Sequence, residues 1–277
     1  MGKKSRRIKP AKTRMPFVAR TFEGLPSEVD WIAMREFVPS ASASVTTTSG
    51  RTVRVCSLLP GGGAGLVRPD GEIWLGLQVL HNHGDISRDL AHVIELAEGL
   101  EPGTPVTMTN PGVGPRLQEL IAGDQAFDVT VHAGFDYWID NPDEQAQAAL
   151  AQANESAAPT RRLAGVEGAY VTQMGDHTFL RWVRPEGEDA LLLALARLHA
   201  AGQTQFGEAK LIGIFRAHGL LVPVWELFGA TDLGESIEAD LAAFEPVLAA
   251  ALDRDEPLTP AERSAKQNLT SRQVTIR

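Results

Sequence analysis

Apolar residues recur along this chain with two different periods, and the changes of period mark its elements. Val29, Ile32, Ala33 and Phe37 fall at helical spacing behind Leu25-Pro26-Ser27, which predicts a helix capped by Ser27 and stopped at Pro39. A hairpin turning at Ser49-Gly50 into Thr52–Leu59 comes next, then a glycine-rich loop at Pro60-Gly61-Gly62-Gly63-Ala64-Gly65. After the turn at Pro69-Asp70-Gly71, strict alternation takes over from Glu72 to about Leu80. Ile73, Leu75, Leu77 and Val79 share one face, and Trp74, Gly76 and Gln78 share the other. The period then returns to helical, with Ile86, Leu90, Val93, Ala97 and Leu100 as the stripe, and Asp85 or Ser87 as the cap. That stripe assigns Asp85, Arg88, Asp89, His92 and Glu95 to the opposite, wet face.

Weaker signals follow: a short strand near Val106–Thr109, a short helix near Arg116–Ile121 and a strand at Phe127–Val131. Pro142–Asn154 is helix-prone but poor in large apolar residues, and Ser156-Ala157-Ala158-Pro159-Thr160 behind it suits a boundary. In the second half, strands are expected at Gly168–Gln173 and His177–Val183, around Met174-Gly175-Asp176. Asp189 is placed to cap a helix over Ala190–Ala201, whose leucines (Leu191, Leu192, Leu193, Leu195, Leu198) are too continuous for a surface helix. Leu211–Arg216 and Leu220–Leu227 read as a hairpin around His218-Gly219, with Pro223 indicating an edge strand. A helix over Glu235–Leu252 and a short one after Pro260 complete the chain.

The pattern predicts an α+β fold with mixed or antiparallel sheets and packed helices, readable as two related lobes. The expected organisation is a basic flexible N-terminal arm at 1–20 and an α+β lobe at 21–140. A helix and linker at 141–160 then lead to a second α+β lobe with C-terminal helices at 161–277.

Composition adds exclusions. With 43% hydrophobic and 22% charged residues, the chain is globular rather than disordered. No apolar run reaches the roughly 18–20 residues of a membrane span, and no apolar segment follows the basic N-terminus as in a secretory signal. The single cysteine, Cys56, excludes an intrachain disulfide and any multi-thiolate metal site, and its strand context reads as buried core. A cytoplasmic protein is expected, with no cofactor implied.

Charge changes the picture more. Residues 1–20 hold eight cations (Lys3, Lys4, Arg6, Arg7, Lys9, Lys12, Arg14 and Arg20) and no acid, so the chain's −9 leaves −17 on residues 21–277. A basic arm on an acidic body can meet RNA, the ribosome or another polyanion through counterion release, or fold onto its own acidic surface.

The candidate chemistry centres on His81-Asn82-His83-Gly84-Asp85. Continued strand parity would present His81 and His83 on one side, as a His-x-His metal pair is presented. Against this, Asp85 serves as a helix cap, His92 lies on the far face, and Ile86 stands where the motif of metallo-β-lactamase-like hydrolases has its last ligand. A turn with a capping carboxylate is the simpler reading, and a metal site of His81, His83 and Asp85 is the alternative. The glycine run leads into a strand and lacks Gly-Lys-Ser/Thr, so it is neither a P-loop nor a dinucleotide fingerprint. Asn110-Pro111-Gly112-Val113-Gly114-Pro115-Arg116 precedes a short helix, where its amides and Arg116 can meet an anion or simply turn the chain. There is no Gly-x-Ser-x-Gly elbow, and Trp74, Trp138, Trp182 and Trp225 beside strands suit core packing.

Several stretches carry a resemblance: Met1–Arg7 (MGKKSRR), Pro16–Arg20 (PFVAR), Phe22–Glu28 (FEGLPSE), Asp30–Glu36 (DWIAMRE) and Ser271–Thr275 (SRQVT). Together they resemble, over essentially the whole chain, an uncharacterised actinobacterial family known only as a domain of unknown function. Its members are sometimes labelled SecA-like preprotein translocase. That label implies an accessory factor in protein export, but this chain has neither the nucleotide-binding loop nor the Cys/His tail of SecA. The family brings no catalytic residues. The leading expectation is a non-enzymatic binding or adaptor protein acting through its arm. A hydrolase centred on His81, His83 and Asp85 is second, and an export factor third.

Overall fold

The computed structural model describes residues 17–229, 233 and 236–271. Two five-stranded sheets form the frame. The first contains β1 (Ala41–Thr46), β2 (Thr52–Cys56), β3 (Gly65–Val67), β4 (Ile73–Gly76) and β5 (Thr130–Val131), in the order β3-β4-β2-β1-β5. It is mixed, because β2 and β4 run parallel while the remaining pairs are antiparallel. The second contains β6 (Thr160–Arg162), β7 (Ala169–Met174), β8 (His177–Trp182), β9 (Ala209–Ala217) and β10 (Leu220–Leu227), in the order β6-β7-β8-β10-β9. All of its pairs are antiparallel. The fold is α+β, as the pattern predicts.

The alternation read in β4 is the packing observed. Ile73, Leu75 and Leu77 enter the main core with Leu90, Val93 and Ala97 of α2 (Ile86–Glu98), while Trp74 faces the other way. There it joins Cys56, Leu59, Phe135, Trp138 and Leu150, the last from α4 (Glu144–Asn154). At the end of β4 the glycine loop folds onto the strand and leaves no room for a side chain: a Cβ at Gly76 would lie 2.5 Å from the Gly63 carbonyl oxygen.

A single helix links the sheets. In α1 (Glu28–Glu36) the run Val29–Met34 is buried on every side, so a one-face stripe does not describe it. The core around α1 takes Val45, Val55 and Ile73 from the first sheet, Tyr170, Leu220 and Val222 from the second, and Val183 from just past β8. The second sheet's opposite face is covered by α5 (Glu188–Ala200), α6 (Glu238–Leu252) and α7 (Pro260–Ser271).

Several local expectations are corrected. Ser27 adopts a left-handed backbone (φ 51°) and makes no side-chain cap; its carbonyl instead accepts the Asp30 amide at 2.8 Å. Asp189 lies inside α5, behind Gly187, rather than capping it. Residues 106–109 form no strand; nearby, Pro105 makes an isolated bridge to Leu66. Pro223 is not on an edge strand, because β10 lies between β8 and β9. The ladder to β8 pairs Val224–Glu226 and stops just before Pro223, so the missing N–H falls where the pairing gives out. The supposedly wet face of α2 is also misassigned, since Asp85, Arg88 and Asp89 are buried.

Candidate functional site

The HNHGD turn is built by its flanks. Beyond β4 the chain stays beside β2 through Leu77 N–H to Cys56 O (2.9 Å) and Gln78 N–H to Ser57 O (2.8 Å). The Gln78 side-chain amide donates to Met34 O and Val38 O, pinning this exit to the end of α1. Leu80 and His81 then point into solvent. Asn82 turns the chain by accepting the Gly84 amide at 2.9 Å, and Gly84 takes a positive φ of 114° that suits glycine.

Asp85 caps α2 as expected, accepting from the Ser87 amide at 3.0 Å and the Arg88 amide at 3.4 Å. Its other oxygen accepts Arg116 Nε at 2.7 Å. The carboxylate is therefore spent on a cap and an ion pair, and it does not join the histidines. His83 instead meets Asp89: the His83 amide donates to Asp89 Oδ2 at 2.9 Å, and Nδ1 lies 3.1 Å from Oδ1. The His81 and His83 rings lie side by side, 6.5 Å apart and within 10° of parallel. The structure thus brings together two of the three expected residues and adds Asp89, which the helical stripe had assigned to solvent. Among the described residues, no group of three or more His, Cys, Asp or Glu is arranged to hold a metal ion.

The loop at 110–116 is the reverse of an anion nest. Its carbonyls face a cation: Arg88 donates to Pro111 O (2.9 Å), Pro115 O (3.1 Å) and Gly112 O (3.4 Å), and to Glu95 at 2.7 Å. Arg116, offered to an anion only in the alternative to a plain turn, holds Asp85 and donates to Thr21 O at 2.8 Å. Gln118 donates to Thr21 O and Glu23 O as well, while Val18 N–H reaches Gly84 O at 3.3 Å. Residues 18–23 are therefore tied down alongside the HNHGD turn. Phe17, just before them, is 81% exposed.

Of the eight leader cations, Lys3, Lys4, Arg6, Arg7, Lys9, Lys12 and Arg14 lie outside the described residues. Arg20 is described and is already paired, with Nε and Nη2 on the two oxygens of Glu28 at 2.9 and 2.8 Å. That hydrogen bonding raises the Arg20 pKa further.

A second polar cluster lies on the first sheet's outer face. Ser42 Oγ and His132 Nε2 are 2.8 Å apart, and the His132 ring stacks on Tyr137 at 4.2 Å. Burial, with a smaller contribution from Arg54, lowers the His132 pKa, which keeps the imidazole neutral at pH 7. Cys56 beside them is pushed up to about 12 by burial, so it remains a thiol. Ser42 is itself buried, and this cluster reads as packed polar contacts rather than an open nucleophile.

The arrangement defines an α+β protein whose candidate site is a solvent-facing turn at the root of a basic leader. The chain belongs to the family of unknown function DUF5926, whose sequence model matches residues 21–277. The match thus begins where the basic leader ends. No curated protein and no solved structure matches the chain. No helix among the described residues is long and apolar enough to cross a membrane.

Proposed function

We propose that this is a cytoplasmic, non-enzymatic binding protein that holds RNA between its cationic leader and the HNHGD turn. The observation that carries this reading is the position of the leader's root. Val18 is hydrogen-bonded to Gly84, so the described chain, which follows seven cations in sequence, begins beside an exposed Phe17, Leu80 and His81. Single-stranded RNA needs both parts: cations that release counterions from phosphates, and flat faces on which bases stack. The −17 on residues 21–277 repels a polyanion elsewhere and confines contact to the leader. Removing residues 1–15 and measuring RNA affinity across a salt series tests this. Ribosomal RNA is one form such a partner can take.

One observation favours a second reading, a metal-dependent hydrolase centred on His81, His83 and Asp85. The buried Asp89 holds His83 through Nδ1, which leaves Nε2 outward, as a carboxylate orients a metal-binding imidazole. His81 lies beside it, while Asp85 is engaged by Arg116. Elemental analysis of the purified protein and of His81→Ala and His83→Ala distinguishes the two. An export role rests on the SecA-like label alone, and no Gly-Lys-Ser/Thr loop supports it.

A further inference from the structure

Arg181 lies in the middle of β8, paired with Tyr170 of β7 on one side and Val224 of β10 on the other, and is 3% exposed. A buried guanidinium ordinarily has oxygen acceptors to replace water. Elsewhere this chain supplies them. Arg88 has Glu95 and three carbonyls, and Arg197 has the carbonyls of Ala251 (3.1 Å) and Glu256 (2.7 Å). Among the described residues Arg181 has no oxygen acceptor. Its Nη2 donates to the thioether sulfur of Met174 at 3.0 Å, its Nε is buried without a partner, and its guanidinium lies over the Phe37 ring at 5.5 Å. Thioether sulfur is a weak acceptor, so a full positive charge is left nearly uncompensated.

The neighbouring carboxylates are already engaged. Glu226, on the same face of β10, is held by His177 Nδ1 at 2.6 Å. Asp30 of α1 accepts the Tyr170 hydroxyl at 2.7 Å, Arg162 Nη2 at 2.9 Å and the Gly168 amide at 3.2 Å. Burial lowers the Arg181 pKa to about 10, so the group stays charged at neutral pH and its need for an anion persists.

We propose that Arg181 anchors a binding site for a small apolar monocarboxylate, which enters by displacing the Met174 side chain. The Nε–H and Nη2–H edge of a guanidinium is the one that takes a carboxylate in two parallel hydrogen bonds. Here one of those donors is empty and the other is held only by sulfur. Met174 is 39% exposed and has the unbranched side chain best able to swing aside. The ligand's body is apolar because Phe37 lies over the cation, and Phe179 and Val224 share its face of the sheet. Its charge is single because one guanidinium, with no second cation against it among the described residues, balances one negative charge rather than a phosphate dianion.

The test titrates the full chain with phenylacetate, with its neutral amide and with inorganic phosphate, following backbone amide shifts and thermal midpoint. Saturable shifts at Arg181, Met174 and Phe179 with phenylacetate, and none with the amide or phosphate, are expected. Arg181→Met should remove that response. It should also fold, because the substitution deletes an unpaired charge without leaving a cavity. Met174→Ala, which uncovers the guanidinium, should tighten phenylacetate binding several-fold. Three results would overturn the proposal: no saturable response at millimolar phenylacetate, the same response in Arg181→Met, or preferential binding of phosphate.

Discussion

Asp85 and Arg116 meet at 2.7 Å, and this one ion pair joins the cap of α2 to the root of the leader. The same carboxylate accepts the first free amides of α2, and the same guanidinium donates to Thr21 O. Asp85→Ala should therefore lose both cap and pair, costing about 2–4 kcal/mol. Asp85→Asn keeps a capping oxygen and loses only the charge pairing, so it should cost less, about 1–2 kcal/mol. Urea midpoints of the two variants check the ordering; equal losses would mean that the cap contributes nothing beyond the Arg116 ion pair.

The buried Asp30 is the polar tie between α1 and the second sheet. It is fully buried and accepts from Tyr170, Arg162 and Gly168. Asp30→Ala strands the Tyr170 hydroxyl and the Arg162 guanidinium, and a loss of about 3–5 kcal/mol is expected. Tyr170→Phe removes one donor and should cost about 1–2 kcal/mol. In a double-mutant cycle the two losses should be clearly non-additive.

His132 sets a pH dependence whose sign follows from its environment. Burial, aided by Arg54, places its folded-state pKa below the ordinary 6.5. The unfolded chain therefore binds the proton more readily, and stability rises with pH across that interval. The contribution is complete above about 6.5 and is lost as pH falls through the folded-state value. Midpoints measured from pH 7.5 down to pH 5 should show this decline in the parent and a flatter curve in His132→Gln.

Phe17 and His81 separate RNA binding from metal binding. If bases stack at the leader's root, Phe17→Ala and His81→Ala should each weaken single-stranded RNA binding by about 1–3 kcal/mol, in the range of one lost base contact. On this account elemental analysis of the parent finds no stoichiometric transition metal. A stoichiometric metal that disappears in His81→Ala and His83→Ala would transfer the site to the second reading.

Much of the frame was legible because its signals are local. The alternation of Ile73, Leu75 and Leu77 against Trp74 gave the correct faces of β4, and Asp85 announced the start of α2. The contacts that were missed are long-range. Arg88 and Asp89 lie off the apolar stripe, and only the arrival of the 110–116 loop and the HNHGD turn buries them. Asp30 has the periodicity of a surface residue until the second sheet closes over α1. Arg181, between Leu180 and Trp182, reads as the outward residue of a half-buried strand, and nothing nearby in sequence announces Phe37 above it. The tie between Val18 and Gly84, which sets the leader beside the histidines, joins residues too far apart for any periodicity to reveal.

The most direct test of the proposed function is the salt dependence of single-stranded RNA binding by the full chain and by a chain lacking residues 1–15. Seven leader cations, each neutralising one phosphate, predict a slope of about −5 in log affinity against log salt. Affinity should then fall roughly 10³-fold between 50 and 200 mM salt. The truncated chain should bind far more weakly and with a slope near zero. Equal affinity and equal slope in the two chains would contradict the account and remove the leader from the function.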